Sequence, residues 1–517
     1  MDRRVRLICY IAVGITVAWL IVSNASNYLS KAKSNSSFKT QAVQSRKVEL
    51  IACPASINIP NGEKVECGYL LVPENRERFD SRKIKVFFAR VAAYTQSGDE
   101  NQPLVYLAGG PGEAGSKYIV PRMEQFFALR RDRDLIVIDQ RGTGFSQPRL
   151  DCNLKVKTTK LPSTLEKCLA DYQQQGIDLT GYNTTQSARD LQELRRALNI
   201  DRWNLIGTSY GTRLAQETMR VDLQGIRSVV LNSTLPTSNS FFSLSLAADQ
   251  KQIFEQMLND CAADRKCASA FPDLQEVFLS IQRQMSGKVL KLTLKSISGK
   301  KTVTISFDEF VALVERQLSS TKTISQVPLL IWNMAESIQG KANNNILANY
   351  LESDSQSLLN HKNHPKADGL HISVICHEDW SSIKDLSKLE RQMAAYEPFF
   401  RSRRLELYKI ACPMWNVGRV APAFEEKVVS DIPTLLLIGN YDLKTAPEWS
   451  DEVAAGLTNS QVISFPGTGH DVIDSSLCGR ALTADFIAEP DTPLPLDCVK
   501  RMKPPEFLTR LSLESNK

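Results

Sequence analysis

The sequence predicts an α/β fold: a mostly parallel sheet flanked by helices, interrupted by a large, mainly helical lid insertion. Three observations predict it. Short apolar runs of strand length alternate with helical stretches, the pattern of crossover connections between parallel strands. One run, Trp203-Asn204-Leu205-Ile206, leads straight into Gly207-Thr208-Ser209-Tyr210-Gly211 and then into good helix formers up to Met219. Roughly two hundred residues separate the apolar run at 228–231 from the next convincing sheet strand at 434–438, far more than one connection needs.

A chain of 517 residues can hold one large domain with an insertion, or two to three domains. Its 42% hydrophobic and 23% charged residues are ordinary globular values. The net charge of +6 is small for this length, with basic residues dispersed among acids, which argues against nucleic acid as a partner. Arg3, Arg4 and Arg6 precede a mostly apolar run over 7–22, and Ser23-Asn24-Ala25 has the small-x-small form of a signal-peptidase site. The run is long for a signal core and short for a span of about 20 residues. Residues 1–25 therefore read as a signal peptide or, alternatively, as an N-terminal membrane anchor with 7–22 as the tether. Either way the remainder crosses, so the expected location is extracytoplasmic, secreted or periplasmic. Residues 26–47, rich in Ser, Lys, Asn and Gln, read as a flexible linker. Leu50-Ile51-Ala52-Cys53 imitates a lipoprotein cleavage box but lies in polar sequence far past the apolar run, and reads as coincidence.

Cysteine usage agrees with export. Setting aside Cys9 in the removable segment leaves Cys53, Cys67, Cys152, Cys168, Cys261, Cys267, Cys376, Cys412, Cys478 and Cys498. An even set in an exported chain reads as disulfides rather than metal ligands, and the grouping into near neighbours suggests consecutive pairing.

Along the chain, 65–72 and 83–91 flank a polar stretch and form a hairpin signal. The buried-strand run at 103–107 is followed by Ala108-Gly109-Gly110-Pro111-Gly112. Gly110 and Gly115 have the spacing of a phosphate loop, but Ser116-Lys117 reverses the order such a loop requires and Pro111 removes an amide. The other use of a glycine-rich turn is an oxyanion hole, where a bare amide must approach the substrate oxygen. Gly110 and Tyr210 are the expected donors. The strand at 135–138 ends in Asp139-Gln140-Arg141, read as a charged brace, and Thr185 is the expected cap of a helical stretch over 187–198. At Ser209 a strand turns sharply into a helix between two glycines, which lifts a serine clear of its backbone and sets the helix N-terminus beneath it.

The insertion shows helical patterns near 247–261, 308–318 and 327–338 and a hairpin at 289–305. It holds His361, His364, His371 and His377, close to Cys376. Cys376 is expected to be oxidised and the spacing matches no compact ligand set, so neither metal nor other cofactor is expected. The sheet resumes at 434–438, which ends at Asp442, and the last strand at 462–465 leads to His470 on a glycine-flexed loop. Ser209, Asp442 and His470 thus follow in the order Ser, Asp, His, each after the strand that order requires.

Gly109-Gly110-Pro111-Gly112, Asp139-Gln140-Arg141-Gly142-x-Gly144-x-Ser146 and Gly207-x-Ser209-Tyr210-Gly211, in this order on these strand ends, resemble the prolyl aminopeptidase and tripeptidyl aminopeptidase family of α/β-hydrolases. The likeness covers most of the chain from about Cys53 and is weakest over 236–430. The His that usually stands before this glycine in the prolyl branch is absent before Gly109, so the tripeptidyl branch is the closer match; Ala446 stands where the family has a proline after Asp442. The resemblance implies an α/β-hydrolase with its N-terminal core part at 48–235, a lid at 236–430, and a C-terminal core part at 431–517 carrying Asp and His. It implies a serine hydrolase: Ser209 the nucleophile, His470 the general base and then acid, Asp442 its orienting carboxylate, and a peptide cleaved near its free N-terminus as substrate. Cys376-His377-Glu378-Asp379 resembles a recurrent segment of the family, and Glu378 with Asp379 are the expected substrate-binding pair, the first anchoring the ammonium and the second supporting it. An exported carboxylesterase would use the same triad. A non-catalytic binding member would need a damaged triad or hole, which the sequence does not show.

Overall fold

The computed structural model describes residues 47–95, 102–119, 126–152, 154, 160–296, 299–341, 347, 350, 366–396 and 403–510. The signal or anchor segment, most of the linker, His361 and His364 lie outside the described residues. The strands are β1 (Val48–Ile51), β2 (Val65–Pro73), β3 (Lys83–Val91), β4 (Leu104–Leu107), β5 (Leu135–Ile138), β6 (Trp203–Thr208), β7 (Ile226–Asn232), β8 (Val289–Ser296), β9 (Gly299–Ser306), β10 (Thr434–Gly439) and β11 (Ser460–Phe465). One nine-stranded sheet runs β1-β2-β3-β5-β4-β6-β7-β10-β11, and β8 pairs with β9 in a separate hairpin.

The first strands are antiparallel: β1 to β2, β2 to β3 and β3 to β5. From β5 to β11 every pairing is parallel. Parallel sheets need cover on both faces, and every residue of β4, β5, β6 and β10 is buried. Alternation divides these strands between two apolar layers. Val105, Leu107, Ile136, Leu205 and Leu436 pack on one side with Leu191, Leu194 and Leu214; Tyr106, Val137, Ile206 and Leu437 pack on the other with Phe486 and Ile487. Because these strands are parallel, the loops that leave them at Ala108, Asp139, Ser209, Ser233, Asn440 and Pro466 emerge along one edge of the sheet, the edge where open α/β sheets bind ligands.

Between β7 and β10 lies the insertion, with helices Leu244–Ala263, Phe307–Leu318, Val327–Ile338, Asp368–Val374 and Arg403–Trp415 among its elements. Ser306 and Glu309 form a capping box at the start of the second. An apolar core of its own, with Phe254, Met257, Phe278, Phe310 and Leu330, extends onto Tyr441 and Leu443 of the sheet domain.

Two local expectations are corrected. The helix expected over 187–198 spans Thr184–Ala197, and its cap is Asn183, whose side chain accepts from the Gln186 N–H, rather than Thr185. In a run of Asn and two Thr any residue can cap, and tertiary packing chose the one in extended conformation. The lipoprotein-like stretch at 50–53, read as coincidence, belongs to the fold: Leu50 and Ile51 lie in β1 and Cys53 is bonded to Cys67. The expected membrane tether through 7–22 is not supported: that run lies outside the described residues, and among the described residues no helix is long and apolar enough to cross a membrane. The 20-residue helix Leu244–Ala263 has the length but carries Asp249, Lys251, Glu255 and Asp260, charges too costly for a lipid-facing span.

All the expected cysteine pairs form consecutively: Cys53–Cys67, Cys152–Cys168, Cys261–Cys267, Cys376–Cys412 and Cys478–Cys498. Disulfides closing short loops typically stabilise by about 2–4 kcal/mol each. Thiol titration of the denatured, unreduced protein made in an oxidising compartment is therefore expected to find these cysteines unreactive, and reducing expression should yield a less stable protein. Several reactive thiols in the oxidised preparation would contradict the pairing.

Candidate active site

Ser209 stands between β6 and the helix Tyr210–Val221, at φ 58° and ψ −125°, a sparsely populated backbone region that the surroundings must enforce. Its N–H donates to the Asn232 carbonyl of β7 (3.0 Å). Its own carbonyl accepts from the Thr212 N–H (2.8 Å) and hydroxyl (2.6 Å). The flanking glycines are required: a Cβ at Gly207 would lie 2.3 Å from the Gly211 carbonyl oxygen, and one at Gly211 would lie 2.1 Å from that of Leu107. The turn is thus pressed against the end of β4, where the Ala108–Gly112 loop begins. A Cβ at Gly109 would come within 3.1 Å of Ser209 Cβ and 3.6 Å of its Oγ, so this loop lies directly on the serine. Tyr210 opens the helix and carries one of the amides that a helix leaves without an intrahelical acceptor.

Asp442 follows β10, and its carboxylate accepts from His470 Nδ1 (2.9 and 2.8 Å), from the Lys444 and Thr445 N–H groups (2.9 and 3.1 Å) and from the Thr445 hydroxyl (2.8 Å). Burial by itself would raise its pKa, but His470, the Ser233 hydroxyl and these donors outweigh it and hold the carboxyl down at about 2. Because a carboxylate only accepts, Nδ1 of His470 carries the proton and leaves Nε2 as the basic nitrogen. The loop of His470 is tied to that of Ser209 through β7. Asp471 donates its N–H to the Ser233 hydroxyl (3.0 Å) and accepts from the Asn232 side-chain amide (2.7 Å), while the Asn232 carbonyl holds Ser209. Asp442 is buried at 1% exposure, whereas Ser209, His470 and Gly110 are half-buried.

The lid reaches each of these loops. The Ser319 carbonyl accepts from the His470 N–H (2.9 Å), and Gln250 donates to the Leu443 carbonyl next to Asp442 (2.8 Å). Ala367 donates its N–H to the Gly112 carbonyl (2.9 Å). Glu378 and Asp379 lie on the π-helical segment Ile375–Asp379, but in a buried cluster rather than an open cleft. Asp379 takes both terminal nitrogens of Arg213 at 3.2 Å, and Glu378 lies 3.5 Å from the same guanidinium while accepting from the Thr184 N–H (2.7 Å) and hydroxyl (2.8 Å). Thr184 is in turn hydrogen-bonded to the Tyr210 hydroxyl at 2.7 Å. Arg213 was not anticipated from sequence. Its signal is a full charge in the first turn of a helix whose residues Tyr210 to Met219 are all buried, a placement that requires an acidic partner.

The braces expected at the end of β5 are present. Asp139, fully buried, accepts from the Ser116 N–H and hydroxyl and the Phe145 N–H, all at 2.8 Å; burial pushes it up to about 6 against those donors. Arg141 forms a paired contact with Asp190 (2.8 and 2.6 Å). Of the lid histidines, His371 and His377 are each hydrogen-bonded to a backbone carbonyl, and Cys376 is in a disulfide.

Among known proteins, the chain is similar to the serine protease Hip1 of Mycobacterium tuberculosis, 28% identical over 242 residues covering 42% of this chain and 45% of that one. It resembles a tripeptidyl aminopeptidase of Streptomyces coelicolor, 25% identical over 228 residues, 40% of this chain and 42% of the other. A longer match, 21% identical over 437 residues, 81% of this chain and 84% of the other, is to the putative hydrolase YuaR of Escherichia coli. The chain thus spans less than half the length of the first two relatives. A family model described as the alpha/beta hydrolase fold matches residues 102–476, a stretch that runs from β4 through the Ser209 turn and lid past the loop of His470, and the chain belongs to that family.

Proposed function

We propose that this protein is an exported serine hydrolase that cleaves peptides near a free N-terminus through an acyl-enzyme. The observation that carries the reading is the bond of His470 Nδ1 to the buried Asp442 carboxylate at 2.8 Å, with Ser209 raised on the adjoining strand-to-helix turn. Ser209 Oγ attacks the scissile carbonyl as His470 Nε2 takes its proton. The oxyanion is met by the amides of Gly110 and Tyr210, and His470 then protonates the leaving amine. Water, activated by the same nitrogen, hydrolyses the Ser209 ester. Export is supported by the disulfides, which persist in oxidising compartments. The peptidase class is supported by the names of the partial relatives and by the glycine-loop and nucleophile motifs.

A carboxylesterase with the same triad is the alternative, since triad and fold do not choose between amide and ester. A fluorophosphonate probe is expected to label wild type and not Ser209→Ala. On a panel of peptide anilides and short acyl esters, free-amine peptides should be cleaved best and their N-acetylated forms poorly, because an ammonium entering a partly desolvated cleft has to be paired there. Esters turned over with no peptide cleavage would move the protein to the esterase class, and efficient cleavage of N-acetylated peptides would remove the exopeptidase claim.

A further inference from the structure

The loop that lies on Ser209 is rich in glycine and depends on its neighbours for its shape. Gly110 and Gly112 have φ of +113° and +97°, conformations open chiefly to glycine, and glycine gives a loop its greatest freedom. The sheet domain fixes one end, where the Gln140 side-chain amide donates to the Ala108 carbonyl (3.2 Å). The other end is held by the lid. The Ala367 N–H binds the Gly112 carbonyl, and His371 Nδ1 lies 3.1 Å from the Pro111 carbonyl oxygen. A carbonyl only accepts, so Nδ1 is protonated, and in the neutral ring Nε2 is then an acceptor. At 2.7 Å from Nε2 is the hydroxyl of Tyr408, which can donate. The Pro111 carbonyl thus fixes the tautomer, and the Tyr408 hydroxyl, which can donate or accept, donates to the remaining nitrogen and holds the ring. The arrangement is itself braced: His371 lies on Asp368–Val374, Tyr408 on Arg403–Trp415, and Cys376–Cys412 joins the segment after the first to the second.

We infer that His371 is a positioning residue of the oxyanion hole: by donating Nδ1–H to the Pro111 carbonyl, with the Tyr408 hydroxyl holding the ring through Nε2, it keeps the Gly110 amide where the oxyanion develops. The inference rests on the serine-hydrolase reading above. It makes the lid part of the machinery that stabilises the transition state, in addition to any part it has in choosing substrates. The donors of an oxyanion hole act only when the carbonyl becomes tetrahedral, so loosening the loop should lower kcat and leave KM nearly unchanged.

The test compares His371→Leu, His371→Asn and Tyr408→Phe with wild type, each checked for an unchanged unfolding midpoint. Asparagine places an amide N–H close to the position of Nδ1, so it keeps the bond to Pro111 and dispenses with Tyr408. His371→Leu is expected to lose about 10- to 100-fold in kcat, the scale of a misplaced oxyanion donor. It should lose affinity for a peptidyl trifluoromethyl ketone, which forms the tetrahedral adduct, by a similar factor. His371→Asn should recover most of the loss, and Tyr408→Phe should fall between. If His371→Leu misfolds, the Tyr408→Phe and His371→Asn pair decides by the same readouts. Folded variants with wild-type kcat, or a loss confined to KM, would overturn the role of His371 while leaving a fluorophosphonate-reactive wild type intact. A wild type that does not react with the fluorophosphonate would end the reading of the site itself, and this role with it.

Discussion

Ser209→Ala and His470→Ala are each expected to lower turnover by about 10⁴-fold or more, and Asp442→Asn by nearly as much, with the fold unchanged. In the proposed mechanism the three groups act as a unit. Without Ser209 there is no covalent route, and without His470 the hydroxyl cannot shed its proton. The Asp442 change has a sharper rationale in the observed bonds. The carboxylate accepts from His470 Nδ1 at both oxygens' reach, 2.9 and 2.8 Å, and an amide that turns its NH₂ toward the ring would favour the opposite tautomer and occupy Nε2 with a proton. Steady-state kinetics on the best peptide substrate, with circular dichroism to confirm folding, is the check. A folded His470→Ala protein that keeps more than about a tenth of the wild-type rate would exclude the role assigned to His470.

The second large effect is on stability. Arg213 is 1% exposed and compensates Asp379 and Glu378, themselves 1% and 5% exposed. Arg213→Met should keep much of the volume but strand both carboxyls, and removing one partner of a buried ion pair costs about 3–5 kcal/mol. Chemical denaturation should show that loss. The triple change Arg213→Met, Glu378→Gln, Asp379→Asn should recover a large part of it, because no uncompensated charge is then left. A loss in Arg213→Met below about 1 kcal/mol, the scale of an exposed pair, would mean that the cluster is hydrated. The same cluster sets a pH trend. Burial pushes the Glu378 carboxyl from 4.5 up to about 7, with Arg213 and the Thr184 donors opposing it. Between those values the folded state holds a proton that the unfolded state has released, so this group's contribution to stability is present at low pH and is lost as pH rises from about 4.5 to about 7. Glu378→Gln should flatten that part of the stability profile.

Much of this molecule is local in origin, and that part was legible. The parallel strands were found because buried parallel strands are short apolar runs; β6, all six of whose residues are buried, runs two residues past the apolar run that announced it. The nucleophile turn declared itself through Gly207 and Gly211, since backbone closer than a Cβ allows is a demand that only glycine meets. The order of Ser209, Asp442 and His470 followed from strand ends, and the disulfides from cysteines 6 to 36 residues apart. Capping was less legible, because Asn183 and its threonine neighbours are chemically equivalent candidates.

What only the tertiary structure decided is what the lid's polar side chains are for. Glu378 and Asp379 were recognisable as acids in a family-like segment, yet their partners Thr184 and Arg213 are 194 and 166 residues away. His371 was one histidine of several until it met Pro111, 260 residues earlier in the chain. Apolar burial is non-directional and leaves a periodic trace in the chain, so the sequence by itself determined the sheet and the turn that lifts Ser209. A hydrogen bond or ion pair needs a partner at a set distance and angle, and across an insertion this long that meeting is settled only when the lid packs onto the loops at the sheet edge.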